Sequence, residues 1–251
     1  MEEKLEKKVI YMDNAATTRT RQEVVDEMLK YFTILYGNPS SVYEFAGKSH
    51  KAVEDSRSLI ADTLNANADE IYFTSGGTES DNWALRATAK SYKNKGKHII
   101  TSKIEHPAIL NTAKNLEDLG FKISYIDVDE YGMIKLQRLK EEISDETILI
   151  SVMMANNEVG TIEPIKEIGR IAREKDIVFH TDAVQYYGQM PIDVKELNID
   201  LLSASAHKFH GPKGIGFLYI NERLKIVPLI FGGSQEKGLR AGTQNVPSIV
   251  G

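Results

Sequence analysis

The chain has no cysteine, one tryptophan and seven prolines in 251 residues. Without cysteine, this polypeptide can form no disulfide, no thiolate metal site, no cysteine-held iron–sulfur cluster and no cysteine nucleophile. Its longest mainly apolar stretch, Thr147 to Ala155, is too short to span a bilayer. The opening run Met1-Glu-Glu-Lys-Leu-Glu-Lys-Lys8 is charged and lacks the apolar centre of a secretory signal, so a cytoplasmic location is expected. Positive charge is not in excess: 31 Lys and Arg against 36 Asp and Glu leave −5, which argues against nucleic acid as a partner. The six histidines are scattered. Their one tight pair, His207 and His210, has no carboxylate beside it, so no metal site is expected.

What is present is a balance of 41% hydrophobic and 27% charged residues, ordinary for a globular domain. Helical and strand patterns alternate. Helical spacing runs over 21–35, 52–64, 79–92, 107–119, 136–143 and 164–174. Strand patterns fall at 70–74, 97–101, 122–127, 147–153, 177–181, 199–203 and 216–220. Strands separated by helical stretches of this length predict βαβ units and a mostly parallel sheet flanked by helices, with ligands at the carboxyl ends of the strands.

Polar residues gather where those strands end. Thr74-Ser-Gly-Gly-Thr-Glu79 follows a strand and opens a helix. Gly77 lets the backbone approach a ligand, and Thr78 adds a hydroxyl to the free N–H groups of a helix start, an anion cradle. A plain helix cap uses the same residue types. His106, before Pro107, can lie flat on an aromatic ligand or simply sit in a loop. Asn157 offers both donor and acceptor, or serves a turn. Asp182, at the mouth of a buried strand, needs a partner such as a protonated pyridine nitrogen, and Gln185 can reach a phenolic oxygen; Asp182 as a helix cap is the alternative. Last comes Ser203-Ala-Ser-Ala-His-Lys208. A lysine fixed there, its pKa lowered by partial burial and a nearby cation, is a candidate for Schiff-base chemistry. Pyridoxal 5'-phosphate needs this set: donors for a phosphate, an amine for an aldehyde, and an acid that keeps the ring nitrogen protonated. Asp182 is accordingly expected to be ionised, held so by the ring cation.

Taken together, Tyr11 to Thr18, Gly37 to Ser41, Phe73 to Ser80, Glu105 to Pro107, Asn156 to Thr161, His180 to Gln185, Ser203 to Lys208, Gly211 to Gly216 and Gly232 to Val246 resemble the class V aminotransferase group of pyridoxal-phosphate enzymes. The nearest likeness is to the cysteine desulfurases of nitrogen fixation and iron–sulfur cluster assembly. The resemblance implies a fold-type-I large domain over 15–251 behind an arm at 1–14, with the small C-terminal domain absent. It makes Lys208 the Schiff-base lysine, and His106 the stacking residue and acid/base candidate. Asp182 becomes the partner of the ring nitrogen. Gln185 and Asn157 contact the ring oxygen and the substrate, Gly77, Thr78, Ser205 and His207 hold the phosphate side, and Ala206 is a further cofactor contact. Thr243 reaches the phosphate of a neighbouring subunit, which implies a homodimer. The implied substrate is cysteine and the implied partner an iron–sulfur scaffold protein. In the family, the sulfur-accepting cysteine and the arginine that holds the substrate carboxylate lie past position 251, so this polypeptide by itself is not expected to release sulfide. The alternatives are another class V enzyme, such as a selenocysteine lyase or aminotransferase, and a non-catalytic assembly partner.

Overall fold

A computed structural model describes residues 9–251; the charged run at 1–8 lies outside the described residues. Fourteen elements carry the fold, in chain order: α1 Gln22–Thr33, α2 Glu44–Leu64, β1 Ile71–Thr74, α3 Gly77–Tyr92, β2 His98–Ser102, α4 Pro107–Asp118, β3 Lys122–Ile126, α5 Leu136–Glu142, β4 Thr147–Ser151, α6 Ile165–Glu174, β5 Val178–Asp182, β6 Leu201–Ser205, β7 Gly216–Ile220 and α7 Val246–Val250. The strands form one seven-stranded sheet in the order β1-β7-β6-β5-β4-β2-β3. The strands β6, β5, β4, β2 and β3 run parallel to one another, and β7 runs antiparallel to both β1 and β6.

The central strands read as near-continuous apolar runs because helices cover both faces. Alternate residues supply two cores. Ile99, Leu149, Leu201 and Leu218 pack with Trp83 and Leu85 of α3 and Ile109 and Leu116 of α4. Ile100, Ile150, Phe179, Leu202 and Phe217 pack on the other face with Val53 and Leu64 of α2, Leu139 of α5 and Ile168 of α6. Each Leu or Ile so buried contributes about 1.5–3 kcal/mol. The lone tryptophan, Trp83, is fully buried, and its indole N–H donates to the Val227 carbonyl at 3.2 Å.

Three differences from the expected elements stand out. Helix α2 starts at Glu44, eight residues before the expected Ala52, through a stretch where Gly47 and the polar residues Lys48 to Lys51 mask the apolar spacing. Strand β6 sits two residues later than expected, because Ala204 and Ser205 pair with Phe217 and Gly216 of β7. Helix α7 has only five residues, too short for any periodic signal.

Between β7 and α7 the chain has little regular structure, yet it is clamped to the domain. Glu236 is buried, accepts from Arg57 Nη1 at 2.7 Å and Nη2 at 2.9 Å, and also takes the Phe73 N–H at 2.9 Å and the Gln244 amide at 2.6 Å. These bonds hold Glu236 and Lys237 in left-handed backbone conformation, φ 47° and 58°, which non-glycine residues adopt only when the surroundings impose it.

Candidate active site

Strands β1, β2, β4, β5 and β6 all end at one edge of the sheet. Because β7 runs the opposite way, the turn at Lys213 and Gly214 arrives at that edge too. A cavity of about 790 Å³ opens there, lined by Ser75 to Glu79, Asp81, His106, Met153, Asn157, Asp182, Gln185, Ser205, His207, Lys208 and Lys213, with Asp13 and Ala15 to Thr17 over it. Helix α3 enters it through two glycines. Gly76 has φ +143°, a conformation that side chains disfavour, and a Cβ there would lie 3.4 Å from Ser205 Oγ. A Cβ on Gly77 would stand 2.6 Å from Val184 Cγ2. The N–H groups of the first turn, which includes Gly77 and Thr78, have no acceptor within the helix. Beside this turn, Glu79 takes Arg240 at 2.8 and 3.2 Å and the Ser75 N–H at 2.9 Å. Burial pushes the Glu79 carboxyl up, but these donors outweigh it and hold it below the ordinary value.

Lys208 stands in a single helical turn after β6. Its Nζ donates to the carbonyls of Ala15 and of Ala16, the latter at 2.9 Å. Its pKa is lowered, by burial alone: Asp182 and Asp13 act to raise it. The nearby cation expected from the sequence is therefore not what shifts Lys208; the charged neighbours here are carboxylates. His207 Nδ1 meets Thr17 Oγ1 at 3.1 Å, and burial, then Lys208 and Lys213, push this imidazole down. Gln185 donates to the Ala15 carbonyl at 2.9 Å.

Asp182 Oδ1 accepts the Val184 N–H at 2.9 Å. Burial raises the Asp182 carboxyl, opposed by that N–H and by the charges of His106 and Lys208. The ionised Asp182 expected from the sequence is thus not a property of the chain alone, since the cation that would bring it down has to enter with a ligand. His106 caps α4, its Nδ1 accepting the Ala108 N–H at 3.1 Å. That bond places the imidazole proton on Nε2 in the neutral ring and leaves Nε2 as the nitrogen open to exchange. The turn role belongs to Asn156, whose Oδ1 takes the N–H groups of Glu158 and Val159 at 2.9 and 3.0 Å, while Asn157 lines the cavity.

The edge therefore gathers Gly77, Thr78, His106, Asn157, Asp182, Gln185, Ser205, His207 and Lys208. It does not gather Ala206 or Thr243. The Ala206 side chain faces the opposite core and its N–H donates to Ile215 at 3.1 Å, so it has no free donor for an anion. Thr243 is exposed and does not line the cavity of its own chain.

Two fully buried carboxylates, one in the cavity wall and one beside it, were missed from the sequence. Asp81 lines the cavity and is buried, and Glu105, beside His106, is buried against Met153 and Ser102, with burial lifting its carboxyl to about 8. Asp81 had a readable signal: it shares a helical face with the buried Gly77, Ala84 and Thr88, where a charge is out of place. Glu105 stands in a loop and offers none.

The sheet order, the flanking helices and a strand-edge cavity holding a lysine and an aspartate define a fold-type-I pyridoxal-phosphate large domain. The chain belongs to the class V aminotransferase family, whose model matches residues 10–251. These are pyridoxal-phosphate enzymes. Among curated relatives, "Cysteine desulfurase IscS" of Methanosarcina thermophila is 59% identical over 246 residues, which are 98% of this chain and 61% of that protein. Among solved structures, a "NifS-like protein" superposes with TM-score 0.94 at 45% identity, covering 96% of this chain and 67% of that one. A structure described as "SspA in complex with cysteine" gives TM-score 0.93 at 44% identity, covering 96% and 70%. The chain spans about three fifths of the length of the curated relatives it matches. Among the described residues, no helix is long and apolar enough to cross a membrane.

Proposed function

We propose that this chain is the cofactor-binding part of a cysteine desulfurase, and that it holds pyridoxal 5'-phosphate in the strand-edge cavity. The observation that carries the reading is the pairing of a partly buried lysine with a buried aspartate that has no cation in contact, across from a glycine cradle that a Cβ would fill. The residues fit the cofactor. Gly77, Thr78, Ser205 and His207 would hold the phosphate, Asp182 the ring nitrogen, Gln185 the ring oxygen, and Lys208 the aldehyde carbon. When bound, the cofactor supplies an electron sink for a carbanion at the substrate Cα.

The remaining work falls to the chain. Burial lowers Lys208, which raises the share of free amine able to act as a nucleophile. The same amine can take a proton from the substrate, and His106, whose Nδ1 is occupied by the Ala108 N–H, can give one from Nε2. Asn157 lines the cavity at a place where its amide can orient that substrate. The carbonyls of Ala15 and Ala16 hold Lys208, and that of Ala15 also holds Gln185, at the cavity wall. Passing sulfur to a protein requires a thiolate, and none of these 251 residues is a cysteine. The nucleophile must then come from outside this polypeptide segment, and this segment alone releases no sulfide from cysteine. We also propose a homodimer in which the exposed Thr243 completes a neighbour's phosphate site, a cytoplasmic location, and delivery of sulfur to an iron–sulfur scaffold protein.

Adding pyridoxal phosphate to the purified protein should produce a visible absorbance band. Borohydride should then fix the cofactor to the peptide containing Lys208, as read by mass spectrometry. Lys208→Ala should abolish that adduct entirely. A protein that stays colourless in excess cofactor would falsify the reading.

A further inference from the structure

Asp81 lies in the second turn of α3, is 1% exposed and lines the cavity, yet its Oδ1 has no hydrogen-bond partner. Among the described residues, the only cation-forming group in reach is His180, with Nε2 at 3.7 Å. That imidazole is no counter-ion. Its nitrogens are engaged by the hydroxyls of Ser151 at 2.9 Å and Ser203 at 3.0 Å, and burial pushes its pKa down to about 3. The other charged groups facing Asp81 are Asp182, at the end of β5, and Glu105, before α4. After burial, Asp182 raises it most and Glu105 least, while the Ser203 hydroxyl pulls the other way. Asp182 differs in one respect: the charges of His106 and Lys208 act on it and favour its anion. Two buried carboxylates that cannot both ionise are thus treated unequally by the cations around them.

We propose that Asp81 is a positioning residue that holds a proton as a neutral carboxylic acid and leaves Asp182 as the single buried negative charge facing a cationic ring nitrogen. The proposal rests on reading the cavity as a pyridoxal-phosphate site. One cation then meets one anion. An ionised Asp81 would place a second, uncompensated charge in the same buried space.

The test is carbon-13 NMR of the protein labelled at its aspartate carboxyls, at pH 7, before and after saturation with pyridoxal phosphate. Selective labelling removes Glu105 from view. One aspartate should keep the shift of a neutral acid with the cofactor bound, and that signal should vanish in Asp81→Asn. Asp81→Asn, a neutral isostere, should bind the cofactor within about threefold of the native protein. In the ligand-free protein, its melting temperature should gain on the native one as pH rises from 5 to 8, because the folded native chain keeps a proton on Asp81 that the unfolded chain has released. If every aspartate is ionised at pH 7 in the native protein, the proposal fails, and that measurement does not depend on any variant folding. A melting offset independent of pH would also overturn it. Absence of cofactor binding would sink the functional reading alone, since the ligand-free spectra still report on Asp81.

Discussion

Two clusters of buried charge sit in this domain and follow opposite rules. Around Glu236 every charge is answered: Arg57 meets it with two nitrogens, the Phe73 N–H and the Gln244 amide fill what remains, and Arg57 also donates to the Ile71 carbonyl at 2.6 Å. Around Asp182 nothing comparable happens. Asp81, Glu105 and Asp182 are all buried, and among the described residues none has an Arg or Lys in contact and one oxygen each of Asp81 and Glu105 has no partner. The first cluster is complete in the folded chain and serves to hold the segment before α7. The second is incomplete, and what it lacks is a cation. Buried unpaired carboxylates cost stability, so their presence at the strand edge points to a ligand that supplies the missing charge.

The matched cluster should fail hardest when broken on one side. Glu236→Ala leaves the buried Arg57 with only the half-exposed Glu54 carboxylate, 3.3 Å from Nε, as a counter-charge, and should lower the unfolding free energy by about 3–5 kcal/mol. Replacing both partners with apolar residues, Arg57→Met with Glu236→Leu, should cost much less than either single change. Urea denaturation measures all three. A double variant as damaged as the sum of the singles would mean that Arg57 and Glu236 act independently.

In the unmatched cluster, stability and binding should part company. Asp182→Asn removes a buried carboxyl whose ionisation burial disfavours, so the ligand-free protein should be at least as stable as the native one at pH 7. Cofactor affinity should nonetheless drop by about 1.5–3 kcal/mol, roughly tenfold to a hundredfold, because the ring cation loses its charged acceptor. Affinity is read by absorbance titration and stability by thermal melting. Should both fall together, Asp182 is a structural group and the contrast between the clusters disappears.

The pattern of βαβ units was legible because both faces of the sheet are covered, so the strands stand out as short apolar runs between helical spacings. The lysine, the glycine cradle and Asp182 were legible because each follows such a run directly. What was hidden depends on distance in sequence. The carbonyls of Ala15 and Ala16 reach Lys208 across 193 and 192 residues. Arg57 meets Glu236 across 179. The sign of the electrostatics around Lys208 was hidden as well: it was expected to feel a cation and feels two carboxylates, which does not follow from neighbours in the chain.

Glu163 offers the smallest and sharpest check on the contrast, because it is an unmatched buried carboxylate that does not line the cavity. Its Oε2 takes the Ile134 N–H at 2.9 Å, its Oε1 has no partner, and burial lifts it from 4.5 to about 7. The folded chain therefore binds more protons than the unfolded one between those two values. Stability should fall as pH rises through that window and level off above 7. Glu163→Gln carries no charge to bury, so its advantage over the native protein should grow across the window and reach about 1–3 kcal/mol at pH 7.5, discounted for partial solvent screening. Glu105→Gln should behave alike, but with its advantage still growing to about pH 8. The two then separate on adding pyridoxal phosphate. Glu105 feels the charge of Asp182, so cofactor binding should change its pH profile, whereas that of Glu163 should stay as it was. Parallel stability curves for the native protein and Glu163→Gln from pH 4.5 to 7.5 would show that this carboxyl is not raised. An equal response of both glutamates to the cofactor would remove the distinction between charge left unmatched by packing and charge left unmatched for a ligand.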